Sequence, residues 1–261
     1  MTLRELWDGG IETLGGWCVI PGAFTAELAA RSGFDWVCVD TQHGLIGYDQ
    51  MLLMLQALSV TGMPTFVRVR WNEPGEIMKA LDAGADGVIV PMVGSAEEAR
   101  LATGACRYHP AGFRSWGPTR ASLLADGFDP ESANRRVVCA VMIETPGAVA
   151  NLDEILEVPG IDAIFVGPND LAVAAGLQPA NASEEPEHAR LVDTVLQACR
   201  RRGIVPGIYC GGAEVAVARR RQGFQMLALQ SDAVLLRQAS IDMVARLRGE
   251  PVGTTPEGTY A

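Results

Sequence analysis

Short runs of apolar residues alternate with segments of helical periodicity along the whole chain. The apolar runs have the length of buried strands, and they occur at residues 17–20, 35–40, 65–69, 87–91, 137–144, 163–167, 204–210 and 224–230. Amphipathic segments between them predict helices at 24–32, 47–60, 74–83, 95–106, 146–156, 187–202, 211–222 and 232–248. This alternation predicts repeated β-α units around a parallel sheet.

Eight strands and eight helices within about 250 residues indicate an α/β fold of the closed (β/α)8 TIM barrel type. A doubly wound open sheet is the alternative, but the stretch "IPGAFTAE" after the first run lacks the glycine-rich turn of a dinucleotide site. We predict one barrel domain over residues 1–248 and a flexible tail over 249–261, which is disordered or lies along a neighbouring subunit. The irregular segment 107–136 is predicted to be an interface loop or a functional one.

Composition narrows the class of protein. The 261 residues are 48 % hydrophobic and carry a formal net charge of −10, but no apolar stretch reaches the length of about 18 residues that a membrane span needs. The acidic N-terminus does not resemble a signal peptide, so we predict a cytoplasmic protein with no membrane or nucleic-acid partner. The six cysteines form no C-x-x-C pair and are expected to be reduced core residues.

Polar residues stand at the ends of several predicted strands. Asp40 and His43 follow the second run, Arg68 lies on the third, Glu144 ends the fifth, and Asp170 follows the sixth. In barrels of this type the reacting groups come from the C-terminal ends of the strands. We therefore expect these side chains to meet at one rim of the barrel.

Glu144 and Asp170 are the candidate metal ligands. Both offer carboxylate oxygens from neighbouring strand ends, which suits Mg²⁺ or Mn²⁺ better than a soft cation. Taken singly, Glu144 also fits the first turn of a helix, and Asp170 fits a helix cap. Their pairing on adjacent strand ends favours the metal site.

Three further features would complete a catalytic site beside that cation: a place for a substrate carboxylate, an arginine and a histidine. Gly167 permits a close approach of the backbone, and the N–H groups of Asn169 and Asp170 open a helix that would bind a carboxylate. Arg68 lies among apolar residues, so its guanidinium points into the barrel, where it would stabilise an enolate oxygen, or pairs with an acid. His43 is a candidate general base, although a lone histidine is more often structural.

The single lysine of the chain excludes one route to a carbanion. An enzyme that forms a carbanion next to a carbonyl group stabilises it through a lysine Schiff base or through a metal-held enolate. Lys79 lies on the predicted helix 74–83, on the outside of the barrel, whereas a Schiff-base lysine belongs on a strand. The metal route therefore remains.

Six motifs follow one another along the chain, namely "FDWVCVDTQHG", "VRVRWNEP", "ALDAGADGVIVPMV", "ACRYHPAGFR", "MIETPGAVANLDEIL" and "IDAIFVGPNDLA". In order and spacing they resemble the class II pyruvate aldolases of the HpcH/HpaI aldolase and citrate lyase superfamily, in particular the 4-hydroxy-2-oxo-heptanedioate and 2-dehydro-3-deoxyglucarate aldolases. The resemblance extends over about residues 5–248. It implies a (β/α)8 barrel whose last helix is exchanged between subunits of a hexamer, a trimer of dimers.

The resemblance also implies roles for individual residues. Glu144 and Asp170 match the ligands of a divalent metal (Mg²⁺, Mn²⁺ or Co²⁺), Arg68 matches the residue that stabilises the enolate, and His43 matches the acid/base that works through a bound water. Asp82 matches the acidic partner of that histidine, although a position at the end of a helix reaches the rim only by a special arrangement, such as a contact from an adjacent subunit.

Position 40 and the substrate contacts complete the predicted site. Asp40 is expected to orient the loop or a water beside the catalytic histidine. Two positions depart from the family pattern, because many members have Glu at Gln42 and Gln at Met142, which leaves open whether the donor is pyruvate or hydroxypyruvate. The predicted substrate contacts are Trp17, Gln42, Met142, Gly167, Pro168 and Asn169.

Together these features predict reversible retro-aldol cleavage of a 4-hydroxy-2-oxo acid to a 2-oxo acid and an aldehyde. His43, through water, would remove the proton of the C4 hydroxyl, and the metal and Arg68 would hold the enolate. One alternative is a coenzyme A thioester lyase of the citrate or malyl type, which would need a basic groove for the nucleotide phosphates. The other is a non-catalytic barrel that binds a keto acid.

Overall fold

The computed structural model describes residues 2–181 and 185–251, and within them eight parallel strands close into a barrel in chain order. The strands are β1 (Thr13–Cys18), β2 (Trp36–Asp40), β3 (Thr65–Arg68), β4 (Gly87–Val90), β5 (Val138–Ile143), β6 (Ala163–Val166), β7 (Val205–Tyr209) and β8 (Met226–Ser231). Each strand pairs with the next, and the last pairs with the first. The predicted TIM barrel is confirmed, and the open doubly wound sheet is wrong.

Helices cover the outside of the barrel and one of its ends. They are α1 (Leu3–Asp8), α2 (Ala23–Ala30), α3 (Tyr48–Ser59), α4 (Pro74–Asp82), α5 (Ala96–Cys106), α6 (Pro130–Arg136), α7 (Pro146–Ala150), α8 (Leu152–Leu156), α9 (Pro168–Ala174), α10 (Pro186–Arg202), α11 (Ala213–Gln222) and α12 (Asp232–Arg248). The helix predicted at 146–156 is therefore two short helices, which meet at Asn151.

Alternation along each strand sorts its side chains between two apolar cores. On β5, Val138, Ala140 and Met142 point into the barrel, where they join a cluster of aromatic rings from the other strands. Cys139 and Val141 point outward against the helices. Because side chains alternate along a strand, a polar residue that follows β5 in phase with Met142 enters the mouth of the barrel.

The first strand begins earlier than its apolar run predicts. The sequence places it at residues 17–20, but β1 starts at Thr13 and includes Gly15 and Gly16. A Cβ at Gly15 would lie 2.2 Å from the indole of Trp36, and one at Gly16 would lie 2.6 Å from the ring of Phe34. Neighbouring rings therefore require glycine at two positions that carry no apolar signal, and Trp17 lies near the C-terminal end of the strand.

The irregular segment 107–136 packs at the end of the barrel where the strands begin. It contains a short 3-10 helix (Ala121–Leu123) and α6, neither of which the sequence predicted. Arg114 forms an ion pair with Asp82 at 2.6 Å, and Nη1 of Arg120 donates to the carbonyl of Ala83 at 2.5 Å. Within one chain this segment therefore lies away from the C-terminal ends of the strands.

Three aspartates repeat one arrangement at that same end. Asp35, Asp86 and Asp162 each stand immediately before an even-numbered strand. Each carboxylate accepts a backbone N–H from the preceding odd-numbered strand, with N···O distances of 2.8, 2.9 and 2.7 Å. The carboxylates thus join the starts of β1 and β2, of β3 and β4, and of β5 and β6.

The last helix occupies the range that the sequence predicts, and much of its apolar surface is exposed. Val234 is buried, whereas Leu236, Met243 and Leu247 are 63, 72 and 89 % exposed. None of the helices in the described ranges combines the length and the apolar character needed to cross a bilayer. All six cysteines are free and buried, as predicted. Most of the predicted tail, residues 252–261, lies outside the described residues.

Candidate active site

Four strands bring polar side chains to the mouth at their C-terminal ends. Asp40 ends β2, Arg68 ends β3, Glu144 follows β5 directly, and Asp170 stands in the first turn of α9 after β6. Asp40 and Arg68 are register partners in the barrel and share the inward phase of the strand residues two positions before them. The structure therefore brings together the rim residues that the sequence predicts.

Asp40 and Arg68 form a buried, two-point ion pair. Nε of Arg68 donates to Oδ1 of Asp40 at 2.9 Å, and Nη2 donates to Oδ2 at 2.5 Å. The indole N–H of Trp17 donates to the same carboxylate at 3.2 Å, and the guanidinium lies 5.0 Å from the centre of the Trp17 ring. Burial raises the pKa of Asp40, but the Arg68 charge and these hydrogen bonds outweigh it and bring the pKa below its ordinary value.

The same carboxylate holds the loop that carries His43. Oδ1 of Asp40 accepts the backbone N–H groups of Gln42 and His43, at 3.0 and 3.3 Å. Gly44 completes the turn, because a Cβ there would lie 2.2 Å from the carbonyl oxygen of Asp40. Burial and then the Arg68 charge lower the pKa of His43, against the opposing charges of Asp40 and Asp170. The imidazole is therefore neutral at neutral pH, as a general base has to be.

Glu144 is a buried carboxylate beside a second one. It is 2 % exposed, and its Oε2 accepts the N–H of Met92 at 2.7 Å. Met92 has a φ of 57°, a left-handed conformation that is rare for residues other than glycine. Burial raises the pKa of Glu144 to about 7, where the Met92 N–H opposes the shift and the neighbouring Asp170 carboxylate adds to it.

Gly167 gives this carboxylate its space. A Cβ at Gly167 would lie 2.6 Å from Oε1 of Glu144 and 2.9 Å from its Cγ. The φ of Gly167 is −94°, which any residue can adopt, so the glycine is needed for the contact and not for the backbone conformation. Gly167 therefore lets the segment after β6 pass directly against the carboxylate.

The two adjacent carboxylates fit a hard divalent cation. Among the described residues no group of three or more His, Cys, Asp or Glu side chains is arranged to hold a metal. Mg²⁺ commonly takes one or two protein carboxylates and completes its shell with water and substrate oxygens. Glu144 and Asp170 could supply those two carboxylates, and a cation beside them would offset the Asp170 repulsion that adds to the effect of burial on the pKa of Glu144.

The predicted substrate contacts line the mouth and its floor. Trp17 is 2 % exposed, stacks on Phe165 with the ring centres 5.7 Å apart, and meets Tyr209 edge-on. Met142 is equally buried and precedes Glu144 by two residues on the inward face of β5. The side-chain oxygen of Gln42 is buried without a hydrogen-bond partner among the described residues.

The segment after β6 is anchored from behind. Pro168 is the first residue of α9, and its carbonyl oxygen lies 2.9 Å from Nε2 of His188. Nδ2 of Asn169 donates to Oδ1 of Asn181 at 3.0 Å, while Oδ1 of Asn169 is buried with no partner in the described part of the chain. The first N–H groups of a helix have no acceptor within that helix, so those of this segment suit an anion.

Comparison with known proteins identifies the family. The sequence model of the family described as HpcH/HpaI aldolase/citrate lyase matches residues 17–239. The chain belongs to the HpcH/HpaI aldolase/citrate lyase family. The family resemblance that the six motifs predict is thereby confirmed.

Relatives within the HpcH/HpaI family are similar over nearly their whole length. The chain is 39 % identical to a hydroxypyruvate/pyruvate aldolase of Rhizorhabdus wittichii, over 94 % of this chain and 98 % of the relative. It is 34 % identical to a 4-hydroxy-2-oxo-heptane-1,7-dioate aldolase of Klebsiella pneumoniae, over 97 % and 96 %. A crystal structure of a family protein from Burkholderia cenocepacia superimposes with a TM-score of 0.88 at 28 % identity, over 94 % of this chain and 98 % of that one. The predicted enzyme class, a carbon–carbon lyase, agrees with the aldolases among these names.

Two residues of this family member lie away from the mouth within one chain. Asp82 ends α4 at the opposite end of the barrel from His43 and pairs there with Arg114. Lys79 is on the same helix, with its amino group 5.0 Å from the centre of the Tyr48 ring. The predicted exterior position of Lys79 is confirmed, and one chain alone does not bring Asp82 to the histidine.

His188 is a buried residue whose contact cannot be read from the sequence. It lies in the helix predicted at 187–202, and none of its side chain is exposed. A signal was present, because Leu191, Val192 and Val195 follow His188 at helical spacing and share the buried face of α10. The contact with Pro168 joins residues 20 positions apart and follows only from the packing of α10 on α9.

Proposed function

We propose that the protein is a metal-dependent aldolase that cleaves 4-hydroxy-2-oxo acids reversibly to pyruvate, or hydroxypyruvate, and an aldehyde. The observation that carries the proposal is the pair of adjacent carboxylates, Glu144 and Asp170, in a mouth that also contains the buried Arg68 and a neutral His43. The relatives named as aldolases support the same reaction.

Glu144 and Asp170 would hold the cation, with Mg²⁺, Mn²⁺ and Co²⁺ as the candidates. When bound, a divalent cation polarises the keto oxygen and balances the negative charge that develops there. The N–H groups of Asn169 and Asp170 would receive the substrate carboxylate. Glu144 is held by the Met92 N–H and by contact with Gly167, so its orientation precedes ligand binding.

Arg68 and His43 would carry the charge and the proton. Asp40 fixes the guanidinium of Arg68 at two points, and the Arg68 charge affects the pKa values of both His43 and Glu144. A preorganised cation in a buried site stabilises an enolate oxygen without reorganisation. Neutral His43, oriented through the Asp40 carboxylate, would accept the C4 hydroxyl proton through a water.

The bond changes balance without a further reactant. The C4 hydroxyl loses its proton, the C3–C4 bond breaks, and C4 leaves as the carbonyl carbon of the aldehyde. The electron pair of the broken bond moves into the enolate of the 2-oxo acid, and return of the proton to C3 gives pyruvate or hydroxypyruvate. In the reverse direction the enolate adds to an aldehyde.

Two residues would set the choice of 2-oxo acid. Gln42 presents a buried amide oxygen without a described partner, and Met142 presents an apolar surface next to Glu144. We propose that both contact the donor together with Trp17, Gly167 and Pro168, and that the chain accepts hydroxypyruvate as well as pyruvate. The relative named for both donors supports this choice.

We also propose that the chain, a single barrel domain over residues 1–248, works in the cytoplasm as a hexamer, a trimer of dimers that exchange α12. The exposed apolar residues of α12 support a partner for that helix. Contact between subunits is also the arrangement that would bring Asp82 of one chain to His43 of another.

The experiment that tests the function follows the exchange of the pyruvate C3 protons for deuterium by NMR, with and without excess chelator. We expect exchange and retro-aldol cleavage to stop in chelator and to return with Mg²⁺, Mn²⁺ or Co²⁺, because the enolate is otherwise uncompensated. Full activity in excess chelator would refute the dependence of the reaction on a divalent cation. Parallel assays with coenzyme A thioesters would detect a thioester lyase, and absence of any metal-dependent exchange would leave a non-catalytic barrel.

A further inference from the structure

His188 is a fully buried histidine that the proposed reaction does not use. It stands in the first turns of α10, on the apolar face that includes Leu191 and Val192. Its Nε2 lies 2.9 Å from the carbonyl oxygen of Pro168, the first residue of α9. The side chain therefore joins a helix on the outside of the barrel to the segment that leads to Asp170.

The chemistry of this contact fixes the tautomer. A carbonyl oxygen only accepts hydrogen bonds, so Nε2 carries the proton and Nδ1 is an acceptor. Within the described part of the chain, Nδ1 is buried and has no hydrogen-bond partner. A buried acceptor without a partner costs free energy, and a leucine in the same place would not incur that cost. Packing of α10 therefore does not account for a histidine at this position.

The contact acts on the peptide group that faces the substrate. The carbonyl of Pro168 and the N–H of Asn169 belong to one peptide unit, and a hydrogen bond to the carbonyl strengthens the N–H as a donor. The Asn169 side chain is held separately by Asn181 at 3.0 Å. The segment that carries Asp170 is thus fixed at two points from outside the mouth.

We propose that His188 is a positioning residue whose Nε2–H holds the segment 168–170 in the orientation that presents Asp170 to the cation and the Asn169 N–H to the substrate. The inference rests on the proposed function, because it takes this segment as the binding segment. His188 touches neither the cation nor the substrate.

Three variants separate positioning from packing. His188→Leu removes the donor and fills the apolar space. His188→Gln retains an N–H donor at a similar distance from the backbone. Val195→Ala is the matched control, because it removes buried volume on the same face of α10, two helical turns beyond the His188 contact with Pro168.

Three readouts are needed, one of which does not depend on activity. We expect His188→Leu to raise the Kd for Mn²⁺, measured by EPR, and the KM for pyruvate by about three- to ten-fold, the worth of one hydrogen bond, with a smaller change in kcat. Amide exchange at Leu171 and Ala172 should become faster, because their acceptors are the carbonyls of residues 167 and 168. His188→Gln should restore all three values, and Val195→Ala should lower the Tm without changing them.

The inference is overturned if His188→Leu leaves amide exchange at Leu171 and Ala172 as in Val195→Ala, or if its Kd and KM equal those of the wild type. Failure of the proposed function has a different signature, because the wild type would then show no metal-dependent exchange of pyruvate protons. The amide-exchange comparison would still decide whether His188 fixes the segment.

Discussion

Adding one methyl group at Gly167 should impair metal binding at the proposed site while sparing the fold. The Cβ of Gly167→Ala would lie 2.6 Å from Oε1 of Glu144, whereas ordinary contact begins at 3.4 Å. The carboxylate therefore has to retreat by about 0.8 Å. A displacement near 1 Å of a catalytic group costs up to about 100-fold in rate, so we expect kcat/KM to fall by about 10- to 100-fold.

The assay combines the Kd for Mn²⁺ from EPR titration, kcat/KM for retro-aldol cleavage and the Tm of each variant. Gly147→Ala is the matched control, because its Cβ would meet no atom closer than the Thr145 hydroxyl at 3.8 Å and would favour the short α7. The control should match the wild type in Kd and kcat/KM. A Gly167→Ala variant with the wild-type Kd and rate would refute the contact and the assignment of Glu144 to the cation.

Two further substitutions test the ion pair between Asp40 and Arg68 and the exclusion of a lysine Schiff base. Asp40→Asn leaves Arg68 buried without its counter-charge and should lower the free energy of unfolding at neutral pH by about 3–5 kcal/mol, measured by urea denaturation. Because the folded pKa of Asp40 lies below its ordinary value of 3.8, this contribution is complete above about pH 5 and is lost as the pH falls through the folded pKa. A gap between wild type and variant that does not shrink in acid would contradict the shift. Lys79→Met should keep its retro-aldol activity and, like the wild type, resist borohydride with pyruvate, whereas inactivation would restore the Schiff-base route.

The sequence could predict the residues that follow the strand phase. Asp40, Arg68 and Glu144 each continue the alternation of an apolar strand, so their arrival at the mouth follows from the barrel topology alone. Gly15 and Gly16 are a contrasting case. The rings of Trp36 and Phe34, which come from another part of the chain, leave no space for a side chain at these two positions of β1. The apolar pattern therefore predicts a first strand at 17–20, whereas β1 begins at Thr13.

The contacts that hold the site depend on tertiary packing and leave little trace in the sequence. The backbone N–H of Met92 donates to the carboxylate of Glu144, 52 residues further along the chain, and no sequence motif predicts this hydrogen bond. The partner of Asp82 is likewise a matter of packing, since Arg114 comes from an irregular segment of the chain. Residue type identified the candidate ligands, but only the structure gives the groups that orient them.

The three repeated aspartates hold the strand register at one end of the barrel, and the residues of the mouth lie at the other end. Asp35, Asp86 and Asp162 secure the alignment of neighbouring strands at the end opposite the mouth. A slip of one residue would turn every inward side chain outward, so these carboxylates protect the positions of Asp40, Arg68 and Glu144 from a distance. Substitutions at the mouth can therefore change which 2-oxo acid or aldehyde binds there, while these aspartates maintain the alignment of the strands at the opposite end.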